Sequence, residues 1–465
     1  MSGRQSLLAK AALATIVFVY CILGFAYAAE TPKWQTPDEP AHYNYVVYLA
    51  ENRRFPVLQV GDYPHQYLEE IKAAGFPSDM SIDPIRYEFH QPPLYYALAA
   101  AVYGVTSPLG FAAQFLAMRL LSVALGAALL LVAYAIVRDV FPNDRLLALT
   151  STAMVATLPM HIAMSAAINN DTLAELILAL VIWLCVKEIK AGLSRRQTVA
   201  LGVLIALALL TKTTIYAPVI LSSLLALAVR GRERGRHALL SRLGTVFGLG
   251  LLLSGWWFIR NALTYGGLDI LVWHRHDSVV VGQPTTAWWI AEHGLAKTVQ
   301  DFITVSFRSF WAQFGWMGVL IDSRLYLLLA VVSLAITMGV VLWLVRVVRK
   351  PALLSTYQRW ALLLLLLVFM SVAAEHVLYN LKFVQHQGRY IFPALVPIAL
   401  AFALGLLEWP TLLGEVLSRW LPRDKPAPAL PSALKAVAFL VVYAGFVALD
   451  VVCLFLFIVP QLHGW

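Results

Sequence analysis

Two adjacent carboxylates, Asp38 and Glu39, stand just after the first apolar run, in the stretch TPDEPAHYNYVVYLAENRRFP (Thr36–Pro56). Ionisable groups at the edge of hydrocarbon are costly to keep there, so acids in such a place are candidates for chemistry. A third acid, Asp171, lies in INND at the end of another apolar run. Three cations fall at comparable positions: Lys212 in LTKT, Arg260 closing SGWWFIRN, and Arg389 in HQGRY. Acids and cations gathered on one face suit transfer from a phosphorylated donor. A carboxylate takes the acceptor's proton, and Arg and Lys, or a divalent metal, stabilise the charge on the leaving phosphate. Plainer roles compete with these. Asp38 is placed to N-cap a helix in which Tyr43, Val46, Val47 and Ala50 share one face. Asp171 is placed to cap the helix that follows it, and the cations can anchor helix ends to lipid headgroups.

The elements that must position these residues are membrane spans. The chain has 465 residues, 60% of them hydrophobic and 13% charged, with mean hydropathy +0.72. Soluble domains carry about 25% charged residues. The composition is that of an all-α polytopic membrane protein, read as one integral membrane domain over residues 1–465. A net charge of +9 would suggest nucleic acid in a soluble chain. Here the basic residues collect in loops 138–145, 187–196, 230–242, 346–359 and 419–435, as the positive-inside rule expects of cytoplasmic loops, so no nucleic-acid partner is expected. Cys21, Cys185 and Cys453 lie in apolar runs with neither disulfide nor metal spacing. Arg4 and Lys10 ahead of Ala11–Ala29 read as a retained signal anchor with a cytoplasmic N-terminus, although Ala26-Tyr27-Ala28 resembles a cleavage site.

Counting from these loops predicts about eleven spans, with twelve as the alternative. Asp38, Asp171, Lys212, Arg260 and Arg389 then share the outer face. Pro92–Ala113 cannot cross without inverting everything downstream, so it is expected to be re-entrant or interfacial. Two large outer regions result, 30–113 and 263–323. Loops this long are uncommon unless functional, while Trp273, Trp288, Trp289, Trp311 and Trp316 also fit an aromatic belt. Pro422–Pro431 reads as a cytoplasmic linker. His42, His90 and Tyr390 are expected to contact substrate. His274-Arg275-His276-Asp277 offers metal-ligand types, but a lone H-x-H is a weak signal. His161 and Glu175 are expected to hydrogen-bond inside the bundle, and Glu375 and His376 to line the cavity.

TPDEPAHYNYVVYLAE, followed by HQPPLYY (His90–Tyr96), resembles the first outer loop of GT-C class glycosyltransferases related to the aminoarabinose and protein O-mannosyl transferases. FWAQFGWMGV (Phe310–Val319) and QGRYIFPALVP (Gln387–Pro397) resemble a bacterial branch of that class. The resemblance implies a GT-C-like bundle with outer-face interfacial helices in the bacterial cytoplasmic membrane. It also implies an outward-facing active site, a polyprenyl-phosphate-linked sugar as donor, and a glycan, lipid or protein acceptor. By position Asp38 matches the catalytic acid of the first loop, with Glu39 as its neighbour. Asp171 matches the second-loop acid, and Asp38 and Asp171 would be the ligands of any divalent metal cofactor. Lys212 and Arg389 would contact the donor phosphate, and Arg260 is a further cation expected to bind substrate. The class favours inversion, by a hexosyl- or pentosyltransferase. The chain has no substantial C-terminal soluble domain, so the outer loops or a partner are expected to recognise the acceptor. Two alternatives stand beside this reading. A lipid-linked glycan ligase or polymerase would lean on Arg and His rather than acids. A transporter or flippase would place polar groups at mid-membrane in repeated halves, whereas here they sit at helix ends and no internal repeat is visible.

Overall fold

The computed structural model describes residues 3–418 and 429–462, so most of the expected linker Pro422–Pro431 lies outside the described residues. The chain opens with α1 (Gly3–Glu30), α2 (Glu39–Asn52), α3 (His65–Ala73) and α4 (Leu94–Thr106). A run of helices follows: α5 (Phe111–Val140), α6 (Arg145–Ala156), α7 (Pro159–Ser165), α8 (Asp171–Ala191), α9 (Arg195–Leu209), α10 (Tyr216–Arg234) and α11 (Arg236–Tyr265). Three shorter helices come next, α12 (Trp273–Val279), α13 (Thr286–His293) and α14 (Leu295–Trp311). After a small antiparallel hairpin, Gln313–Phe314 against Val319–Leu320, the chain closes with α15 (Ser323–Arg349), α16 (Thr356–Asn380), α17 (Leu395–Ser418) and α18 (Ala429–Val452).

Eight helices among the described residues are long and apolar enough to cross a bilayer. The pair α6 and α7, bent by 63°, adds a ninth if it is one span. The bend falls where Pro159, which has no N–H to give, starts a fresh helix. The eleven spans expected from sequence are therefore not reached by length and composition. α9 has only 15 residues, against about 20 for a span. α8 is long enough but carries Asp171, Glu175, Lys187, Glu188 and Lys190. In the bundle α8 packs against α5 and α10, and α9 against α11. Inside, the Glu175 carboxylate meets the His161 ring at 2.8 Å, as a buried pair in the bundle should.

The segment expected not to cross is α4, with 13 residues. It doubles back along α5: Tyr95 Oη meets Ser122 Oγ at 3.0 Å near one end, and Gln114 donates to the Tyr103 carbonyl at 2.9 Å near the other. Elsewhere helices approach at glycines. A Cβ on Gly339 of α15 would lie 2.1 Å from the Gly405 carbonyl oxygen of α17, the close backbone contact that small residues permit in membrane bundles.

α2 differs from its sequence pattern in two ways. Of the expected apolar face only Val46 is fully buried, and the first turns are buried nearly all round through Ala41, His42, Asn44 and Tyr45. Asp38 stands at the N-cap position, but its side chain makes no capping bond. The polarity of α8 orients the molecule. Its first residue is Asp171, and about 25 Å further on at 1.5 Å per residue Glu188 is held by Arg242 at 2.9 Å and Arg234 at 3.4 Å. One end of the bundle thus gathers acids and long loops, the other an arginine cluster.

Candidate active site

The site is built around one buried junction. Arg119, eight residues into α5, donates to both carboxylate oxygens of Glu39 at 2.8 and 2.7 Å. It also donates to the carbonyls of Ala28 and Thr31 at 2.8 and 2.7 Å, which closes the C-terminal end of α1. Glu39 accepts in addition the N–H groups of Trp34 and Ile168 at 3.2 and 3.1 Å. One ion pair therefore ties the end of α1, the start of α2 and the turn before α8. The sequence reading puts Glu39 beside Asp38 in catalysis. The structure gives it a different role. It is 0% exposed, its oxygens are committed, and it anchors the backbone that carries Asp38.

Asp38 adopts φ 68° and ψ −8°, a left-handed conformation that Asp tolerates better than most residues. The turn points its carboxylate away from the N–H groups of α2. Oδ1 accepts from Tyr87 Oη at 2.8 Å and Oδ2 from Arg389 Nη2 at 2.6 Å. The Arg389 side chain is 5% exposed, whereas that of Asp38 keeps 27%, so the acid is reachable and its partner is sheltered. Arg389 is steadied by Gln387 Oε1 at 2.6 Å and by the Met164 sulfur at 3.6 Å, and Tyr390 lies against the guanidinium. The 3₁₀ segment Gly388–Ala394 that carries it presses on α14: Gly388 N–H donates to Ser309 Oγ at 2.7 Å, and a Cβ there would lie 2.1 Å from the Ser306 carbonyl oxygen.

Asp171 pairs with Lys212 at 2.5 Å. Asn169 and Asn170 hold the turn between them, accepting from Asp171 N–H and donating to the Thr211 carbonyl. The two acid–cation pairs are neighbours. Arg389 acts electrostatically on Asp171, and His42 responds to Asp38, Asp171 and Lys212 together. Burial alone would push the Asp38 carboxyl up, but Arg389, His42 and the Tyr87 hydroxyl outweigh it and hold it below the ordinary carboxylate range. Burial pushes both loop histidines the other way: His42 is lowered, and His90 is lowered to about 4. Near neutral pH the site therefore holds ionised acids beside uncharged imidazoles.

Arg260 is not part of this group. Its guanidinium donates to the Pro56 carbonyl and the Asn261 side chain and stacks 4.9 Å over Trp257. His274 lines a separate open cleft of about 430 Å³ with Tyr265, Asp269 and Arg275. His376 bonds Ser306 at 3.2 Å behind Tyr390. Among the described residues no three His, Cys, Asp or Glu side chains are placed to hold a metal ion. Asp38 and Asp171 meet a guanidinium and an ammonium instead, so as arranged they do not make the expected metal pair. Sequence reasoning missed Arg119 and Tyr87. A lone Arg at the start of an apolar run was a usable signal for the first. The second gave none.

A long-helix bundle with this acid-bearing end has the GT-C membrane fold. The chain superimposes on the Archaeoglobus fulgidus oligosaccharyltransferase in the apo form with TM-score 0.53 at 13% identity, covering 94% of this chain and 56% of that one. It superimposes on the same organism's oligosaccharyltransferase AglB, in complex with an inhibitory peptide and a dolichol-phosphate, with TM-score 0.51 at 15% identity over 97% and 56% of the two chains. ArnT from Cupriavidus metallidurans, bound to undecaprenyl phosphate, gives TM-score 0.50 at 13% identity over 99% and 74%. The chain thus spans little more than half the length of the archaeal enzymes. Residues 83–398 match the family model described as predicted membrane protein (DUF2142), and the chain belongs to that family. A search of curated proteins found no match.

Proposed function

We propose that this protein transfers a glycosyl group from a polyprenyl-phosphate carrier to an acceptor at the outer face of the bacterial cytoplasmic membrane. The observation that carries the reading is the convergence of two acid–cation pairs, Asp38–Arg389 and Asp171–Lys212, from four separate chain segments at one end of the bundle. Asp38 is the base. It takes the proton of an acceptor hydroxyl while that oxygen attacks the anomeric carbon, and the bond from that carbon to the phosphate oxygen breaks. The departing phosphate gains charge, which Arg389 and Lys212 meet with charge-assisted hydrogen bonds.

In the structure each cation is paired with an acid. A phosphate arriving between them competes for both, loosening the hold of Arg389 on Asp38 and raising the proton affinity of that carboxylate when the base is needed. Asp171 then keeps Lys212 in place. That the ArnT and AglB structures hold undecaprenyl phosphate and dolichol-phosphate supports the choice of carrier. The outward orientation rests on the basic loops at the far end. The test is transfer by purified protein from polyprenyl-phosphate sugars, with Asp38→Asn as the control. Transfer by wild type, lost in the variant with lipid binding intact, supports the reading; transfer that survives in the variant removes Asp38 from it.

A further inference from the structure

The polar groups at this end of the bundle divide by kind. Lys212 and Arg389 bring hydrogen-bond donors, suited to a phosphate, which only accepts. The 3₁₀ turn Tyr87–His90 brings acceptors. Glu88 Oε2 is buried and has no hydrogen-bond partner among the described residues, and such an orphan carboxylate oxygen is expensive. His90 Nδ1 lies 2.8 Å from the Tyr87 carbonyl. A carbonyl cannot donate, so Nδ1 carries the proton and Nε2 of the neutral ring is an acceptor. The His276 ring stands against it, with centroids 4.8 Å apart. Burial lowers both imidazoles to about 4, so neither supplies a charge to Glu88 near neutral pH.

Glu88 is within electrostatic reach of His42 and His276, and His42 is in turn within reach of Asp38, Asp171 and Lys212. The acceptor-rich half therefore borders the two acid–cation pairs. In each pair the charges cancel, and no cation among the described residues forms a salt bridge with Glu88. What this half lacks is a ligand rich in donors. A phosphate is the wrong chemistry, whereas a sugar ring carrying hydroxyl or ammonium groups is the right one.

We propose that Glu88 and His90 form the glycosyl-recognising half of the site, accepting hydrogen bonds from hydroxyl or ammonium groups of a sugar whose phosphate lies at Arg389 and Lys212. This rests on the glycosyl-transfer reading and adds to it the residues that tell a sugar-bearing carrier from a bare one. Binding of undecaprenyl phosphate, and of undecaprenyl phosphate carrying a hexose, a pentose or an amino sugar, is measured on the full chain in nanodiscs. At least one sugar should bind wild type more tightly than the bare lipid. Glu88→Gln should erase that gain, roughly 10- to 100-fold for bonds to a charged acceptor, and leave bare-lipid affinity unchanged. Glu88→Asp, which keeps the charge but shortens the reach, should lose part of the gain and serves if the Gln variant folds poorly. Preference for the amino sugar alone marks an ammonium as the recognised group; preference shared with neutral sugars marks hydroxyls. A gain that survives both substitutions, or no gain from any sugar, overturns the proposal. Failure of wild type to bind bare undecaprenyl phosphate would instead strike the glycosyl-transfer reading itself, and this proposal with it.

Discussion

Asp38 carries the heaviest demands of any residue here. It sits in a left-handed turn, forgoes the helix cap that its position offers, and spends both oxygens on Tyr87 and Arg389. Asp38→Asn keeps the shape and the tolerance of that turn and removes the base. Transfer should fall by about 10²–10⁴, with a smaller loss of stability as the sheltered Arg389 loses its charged partner. Arg389→Lys should also impair transfer, because an ammonium cannot replace the planar fork that bridges carboxylate and phosphate; a silent substitution would reduce Arg389 to a headgroup anchor. The charges set a pH signature. With its carboxyl held below the usual range, Asp38 stays ionised as pH falls from 8 to about 5, and its ion pair is lost only as pH drops through that lowered value. His42 and His90, lowered by burial, stay neutral over the same window. The kcat/KM profile should be flat there, and the acid limb of kcat should lie at higher pH, since bound donor loosens Arg389 from Asp38. An acid limb of kcat/KM near 6.5 would assign the titration to an ordinary histidine. Asp38, Asp171, Lys212 and Arg389 were legible from residue type and position alone, since charge at the edge of an apolar run has few reasons to exist. Which acid belonged to which cation was not, because the pairs join segments up to 351 residues apart.

Two devices hold the elements that carry these residues. Glu39 and Arg119 form an ion pair with side chains 0% and 2% exposed. Removing one partner of such a pair leaves a buried charge uncompensated, at a cost of about 3–5 kcal/mol. Arg119→Met should therefore lower the unfolding temperature in detergent markedly, and unchanged stability would contradict the anchoring role. Gly388 is the second device. A methyl group at this position would meet the Ser306 carbonyl and the Phe310 nitrogen at 2.1 and 2.6 Å. Gly388→Ala should push the Arg389 segment off α14, costing about 1–3 kcal/mol and most of the transfer rate. A variant with wild-type transfer would show that Arg389 does not depend on this contact. The sequence placed α2 correctly but misjudged its face. A helix that starts inside a buried junction is covered on every side, and period alone cannot report that. Glu39 was misread for the same reason: its partner lies 80 residues away on α5.

For the whole molecule, composition was enough to identify a helical membrane bundle, and the GT-C fold agrees with the resemblance seen in the first outer loop. The span count was less legible. α8 is too charged and α9 too short to look like spans by length and composition, and the α6–α7 bend splits another. α4, folded along α5, predicts that Leu109, 67% exposed at its far end, lies on the same side of the membrane as Gln59. Cysteines at the two positions should both react with an impermeant reagent from outside, and labelling of Leu109→Cys only from the cytoplasm would mean that α4 crosses. The central claim, that the two acid–cation pairs receive a lipid-linked phosphate, is tested most directly by an experimental structure of the protein with undecaprenyl phosphate. The expected result is a phosphate within hydrogen-bond distance of both Arg389 and Lys212, with the Asp38 carboxylate facing the open side. A phosphate bound away from both cations, or both ion pairs unchanged with the lipid seated elsewhere, would contradict it.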